Sequence, residues 1–133
     1  MCVMALDWGV RRIGIAVSDE LGIAAHGLPT LLRKNIRTDL ETLARLIRER
    51  AISTVVVGEP LNLDGSESRS SRQAVRFARR LAKHANVEIR MWDERLTSWE
   101  AGNILGPRAK DSGATDRMAA VLLLESFLAA ANE

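Results

Sequence analysis

Apolar residues from Val3 to Leu6 form a short run that stops at Asp7, and Ile13, Ile15 and Val17 then alternate with smaller residues up to Ser18. Both segments have the pattern of strands. The intervening Gly9, Val10 and Arg11 make a connection of hairpin length, which predicts antiparallel neighbours. Leu21 to Leu28 predicts a third strand, ended by Pro29. From Ile36 the period changes. Ile36, Leu40, Leu43, Ala44 and Ile47 recur at helical spacing, with Arg37, Asp39, Glu41 and Arg45 among them. Thr54 to Val57 is β-branched and has the pattern of a buried central strand, closed by Gly58. Pro60, Asn62, Asp64 and Gly65 mark a loop over Glu59 to Ser66. A helix from Ser68 to Ala85 and a strand from Val87 to Trp92 follow. Thr97 or Ser98 then caps a helix running to Leu105, and Arg108 to Ala114 has the composition of a polar loop. The last predicted helix, Asp116 to Ala130 with Thr115 as its cap, is apolar on most faces, as a buried helix is.

Strands first, then alternating helix and strand, then helices suit an α/β fold: a mixed sheet with helices on both faces. A chain of 133 residues without repeats or linkers is expected to form a single domain over residues 1–133. Cys2 is the one cysteine, so no internal disulfide forms, and no paired Cys/His spacing suggests zinc. A reducing cytoplasm fits this usage. The N-terminus lacks the basic lead of a signal peptide. The apolar run Met118 to Leu124 is far short of the roughly 20 residues a membrane span needs, so no membrane association is expected. A net charge of +2 is mild and says little about partners.

Local clustering of charge says more. Asp7 and Glu94 each follow a predicted strand, and Asp116 opens a predicted helix, positions from which rigid backbone can aim side chains into one cleft. Each could instead serve locally, by capping a turn, pairing with a neighbouring arginine or favouring a helix N-terminus. Oxygen donors without His or Cys suit Mg²⁺ or Mn²⁺. Asp93 alternates away from Glu94, while Asp19, Asp64 and Asp111 are possible further ligands. On the helix from Ser68, Arg69, Arg72, Arg76, Arg79, Arg80 and Lys83 fall on one stripe with no acid among them, a candidate nucleic-acid face. Trp99 is a candidate for base stacking. The loop from Gly58 to Gly65 is either a phosphate cradle, helped by Asn62 or Ser66, or a plain turn.

Four segments in this order, Leu6 to Asp19, Val56 to Gly65, Asp93 to Ser98 and Asp116 to Leu124, resemble the YqgF/RuvX-type family of Holliday-junction resolvases, also described as pre-16S rRNA nucleases. The resemblance spans nearly the whole chain and implies a ribonuclease-H-like fold with a mixed five-stranded sheet. It places Asp7, Glu94 and Asp116 at the family's acidic active-site positions. It also implies supporting roles for Arg12 and Arg95 and substrate contact by Arg108 and Lys110. Three carboxylates and a phosphodiester carry four negative charges, which two divalent cations balance. The implied activity is metal-dependent phosphodiester hydrolysis, at the 5′ end of pre-16S rRNA or in branched DNA, by a monomer or a homodimer. Two rivals remain at this level. The Asp7 hairpin with Gly9 and Gly14 also resembles the phosphate-binding hairpin of actin-like ATPases, and a non-catalytic nucleic-acid or ribosome-binding module is the other.

Overall fold

The computed structural model describes residues 2–93 and 113–131. Its strands are β1 (Cys2–Trp8), β2 (Arg12–Ser18), β3 (Ala25–Leu32), β4 (Ile52–Glu59) and β5 (Glu88–Asp93). They form one five-stranded sheet in the order β3-β2-β1-β4-β5. β1 pairs antiparallel with β2 and parallel with β4, so the sheet is mixed and β1 lies at its centre. The helices are α1 (Ile36–Glu49), α2 (Arg69–Ala85) and α3 (Gly113–Ala131). Among the described residues no helix is long and apolar enough to cross a membrane.

Alternation along the strands builds two cores. Met4, Leu6, Ile13, Ile15, Val55 and Val57 pack under α1 and α2 through Leu40, Leu43, Phe77 and Leu81. On the other face Val3, Ala5, Ala16 and Val56 pack against Ala120, Leu123, Leu124 and Phe127 of α3. The buried residues of α3 recur three and four apart while Glu125 and Ala129 are exposed, so this helix buries one side. Side-chain caps fix the starts of the other helices. Asn35 accepts from Thr38 N at 2.9 Å, and Ser68 and Ser71 form a reciprocal capping box.

Several predicted boundaries shift, each for a local reason. Leu21 and Ile23 are 80% and 72% exposed in a turn that the Asp19 carboxylate caps by accepting from Ile23 N. The third strand therefore starts later, at Ala25, and runs through Pro29 to Leu32. Proline is tolerated there because β3 is the sheet edge. Gly58 does not close β4, since parallel pairing continues through Gly58 with Trp92 and Glu59 with Asp93. Gly113 and Ala114 belong to α3, which leaves Thr115 inside its first turn rather than at its cap. The predicted helix from Thr97 or Ser98 lies outside the described residues.

Arg33 ties these parts together. It follows β3, its Nε lies 3.2 Å from Oδ2 of Asp39 in α1, and its Nη1 donates to Gly9 O and Val10 O in the β1–β2 turn at 3.4 Å. Its guanidinium also lies over the Trp8 ring, 5.0 Å from the centroid. Asp39 is 1% exposed, so removing its cationic partner strands a buried carboxylate. Arg33→Met is expected to lower the unfolding free energy by about 3 kcal/mol in urea titrations, and an unchanged midpoint would show that the pair is not structural.

The seating of α3 depends on Gly14. A Cβ at this position would collide with the backbone carbonyl of Asp116, which cannot swing aside as a side chain can. Gly27 makes similar room for the Arg117 side chain. Gly14→Ala should lift the first turn of α3 and cost about 1–3 kcal/mol, measured by denaturant midpoint. Stability equal to that of the parent would mean the helix is not held this close.

Candidate active site

Asp7 is the next-to-last residue of β1, not the residue after it, and is half-buried. Because Leu6 and Trp8 turn toward α1 and α2, Asp7 turns toward α3. Its partner across the antiparallel ladder is Gly14, the residue on which the Asp116 backbone rests. Asp7 and Asp116, far apart in the sequence, thus lie on one face of the sheet at the same strand end. Arg12 alternates onto that face with Gly14 and Ala16, and its Nε lies 3.1 Å from Asp116 Oδ2.

Electrostatically Asp116 is the unusual member. Its side chain is 21% exposed, and Oδ2 is buried without a hydrogen-bond donor among the described residues. The Arg12 guanidinium is near enough for Coulombic attraction but lies outside hydrogen-bonding geometry. Burial pushes the Asp116 carboxyl above the ordinary range, and Arg12 opposes that rise. Among the described residues, the cation against this carboxylate is Arg12.

Two of the possible further ligands, Asp19 and Asp64, accept hydrogen bonds within their own turns. Asp19 lies at the other end of β2 from Arg12, and backbone donors, chiefly Ile23 N, hold its carboxyl below the ordinary carboxylate range. Asp64 accepts from Ser66 N at 2.9 Å and from the Ser66 hydroxyl. The loop from Gly58 to Gly65 carries the internal hydrogen bonds of a turn. The N–H groups of Leu61, Asn62, Gly65 and Ser66 all donate within the loop, and the Asn62 amide donates to Ser66. Desolvation, then the charges of Glu67 and Asp93, pushes Glu59 up, but Glu59 alternates to the α2 face of the sheet.

Of the predicted nucleic-acid residues, Arg69, Arg72, Arg76, Arg79, Arg80 and Lys83 are all exposed on α2. They belong to the layer on the far side of the sheet from Asp7 and Asp116. Trp8 packs on Phe77, and Trp92 packs edge-on against Phe127 while donating to the Ser126 hydroxyl at 3.1 Å. Glu94, Arg95, Trp99, Arg108, Lys110 and Asp111 lie outside the described residues. Among those described, no three His, Cys, Asp or Glu side chains cluster as a metal site. In the sequence Gly14 stood out only as part of a rival phosphate-binding hairpin, and Arg33 did not stand out. A glycine inside an otherwise β-branched strand was the available signal for the first; nothing local marked the second.

The chain matches the family described as RuvX: Holliday junction resolvase over residues 1–130. It belongs to the RuvX family. A relative from Koribacter versatilis, named as a candidate pre-16S rRNA nuclease, is 50% identical over 130 residues, covering 95% of this chain and 85% of that protein. Another so named, from Syntrophus aciditrophicus, is 42% identical and covers 100% and 91%. Among solved structures, Thermus thermophilus RuvC in complex with a Holliday junction substrate aligns with a TM-score of 0.60 at 17% identity, covering 98% and 96%. The Fowlpox virus resolvase in complex with Holliday junction DNA aligns at 0.62 and 10% identity, over 100% of both chains. These likenesses show the ribonuclease-H-like α/β fold in this RuvX member.

Because the folded Asp116 carboxyl binds its proton more tightly than the unfolded one, stability falls as pH rises from the unfolded toward the folded pKa and stays lower above it. Asp116→Asn should therefore raise the melting temperature of chelator-treated protein at neutral pH, with the gain vanishing in acid. A lower melting temperature for the amide at neutral pH would contradict this account.

Proposed function

We propose that the chain is a single-domain, divalent-metal-dependent endonuclease that hydrolyses nucleic-acid phosphodiesters at a site formed by Asp7, Glu94 and Asp116. The observation that carries this reading is the buried Asp116 Oδ2. It lacks a hydrogen-bond donor among the described residues and lies on the sheet face to which Asp7 turns. An all-oxygen donor set with one unsatisfied buried oxygen fits a hard cation such as Mg²⁺ or Mn²⁺. Glu94 joins the set through the resemblance of the Asp93 to Ser98 segment to the family.

When bound, such ions supply water activation and stabilisation of the leaving oxygen. The protein supplies position and charge. β1, paired on both sides, fixes Asp7; Gly14 lets the first turn of α3 bring Asp116 down to the sheet; Arg12 offsets part of the negative charge. No histidine is placed to act as the base, since His26 and His84 are exposed on the edge strand and on α2. The substrate reading we favour is the 5′ end of pre-16S rRNA, supported by the names of relatives that align over most of both chains. The family description favours branched DNA as the second reading.

The test is cleavage of pre-16S rRNA ends, single strands and four-way junctions with Mg²⁺ or Mn²⁺. Asp7→Asn should lose a hundredfold or more in kcat/KM, on the order of the several kcal/mol a metal site contributes. Undiminished cutting by this variant, or none by the parent on any substrate, would end the catalytic reading.

A further inference from the structure

Asp7 and Trp8 are consecutive on β1 and turn to opposite faces of the sheet. On the Trp8 side, a cleft of about 300 Å³ opens between the β1–β2 turn and α2, lined by Trp8, Val10, Arg33, Gln73, Arg76 and Arg80 among others. Among the described residues, no acid lines it. Arg33 is neutralised by Asp39, whereas Arg76 and Arg80 have no ion-pair partner among the described residues. Trp8 adds an indole Nε1 that is buried without an acceptor among the described residues. Arg76 and Arg80 also line a neighbouring depression of about 350 Å³, with Arg72, Arg79 and the single acid Glu67. The two hollows therefore run into each other along α2.

The extent of this surface bears on its ligand. From Arg69 to Lys83 the helix rises by about 21 Å at 1.5 Å per residue, which exceeds one nucleotide and matches several backbone phosphates. The sheet and at least one helix diameter, roughly 10 Å, separate this face from Asp116, so one phosphate cannot touch both.

We propose that the cleft beside Trp8 and the α2 face continuing from it form a second phosphate-backbone site, back to back with the carboxylate site. It grips the part of the substrate strand that passes over the Gly9–Val10 turn, away from the bond being cut. The nuclease reading supplies the identity of that strand, but the site itself is defined by the exposed Arg76 and Arg80 beside Trp8.

Binding is measured in the Asp7→Asn background, where no cutting interferes, for Arg76→Glu/Arg80→Glu and for the milder Arg76→Gln/Arg80→Gln. Loss of two phosphate contacts should flatten the dependence of log Kd on log salt by roughly 1.4 for a single strand. The same charge change at the exposed Arg45 and Arg48 of α1 should flatten it less. In the Asp7 parent, strands of about 16 and about 4 nucleotides are compared as substrates; the advantage of the longer one should fall about tenfold in the α2 variants. An unchanged slope, an equal effect from the α1 variant, or an unaltered length advantage would overturn the proposal. Inorganic phosphate and a nucleoside monophosphate form a separate arm. Saturable binding of either at micromolar concentration that a long strand fails to displace would make this a free-ligand site and overturn the backbone assignment. If the parent cuts nothing, the nuclease reading fails while the slope difference stands. If cutting persists without a slope difference, this proposal alone fails.

Discussion

The close approach of α3 to the sheet is the constraint on which the candidate site depends. Ala5, Gly14, Ala16 and Gly27 make one face of the sheet shallow, and the helix settles on it with Ala120, Leu123, Leu124 and Phe127 inward. Burying a leucine or phenylalanine side chain contributes roughly 1.5–3 kcal/mol, so the hydrophobic side of α3 is ample to hold it in place. Gly14 then decides where the first turn ends up. With no Cβ in the way, the Asp116 backbone rests on β2 directly opposite Asp7.

That placement sets stability against function at one residue. A carboxylate half-buried beside Arg12 yet lacking a hydrogen-bond donor among the described residues is a local defect in a metal-free protein, and its raised pKa expresses the cost. Defects of this kind concentrate at functional sites because a ligand can relieve them. The hydrophobic packing further along α3 is what lets its N-terminal turn tolerate the defect.

β1 also serves two faces at once. Asp7 points toward α3, and the next residue, Trp8, packs on Phe77 beneath the Arg33 guanidinium. Arg33 joins the β1–β2 turn to Asp39 of α1, so the hairpin that carries Asp7 is braced from the opposite layer. The arginines of α2 belong to that opposite layer too, and the charged surface is therefore separate from the carboxylates rather than an extension of them.

Much of this was legible from local pattern. Strand alternation, the helical period from Ile36, and glycine-containing turns report short-range geometry, and short-range geometry is what a linear pattern encodes. Boundaries failed where tertiary position overrode local preference: Pro29 continues a strand because β3 is an edge, and Gly58 continues one because β5 pairs with it. Asp7 and Asp116 could be singled out, and Arg12 named beside them, through a family resemblance that ties distant segments together. Their meeting across Gly14, the bracing by Arg33, and the assignment of the basic helix to the far face were decided only by the folded chain. The physical reason is that contacts between residues far apart in sequence depend on strand order and on the layer each helix joins, and neither is written in the spacing of hydrophobic residues.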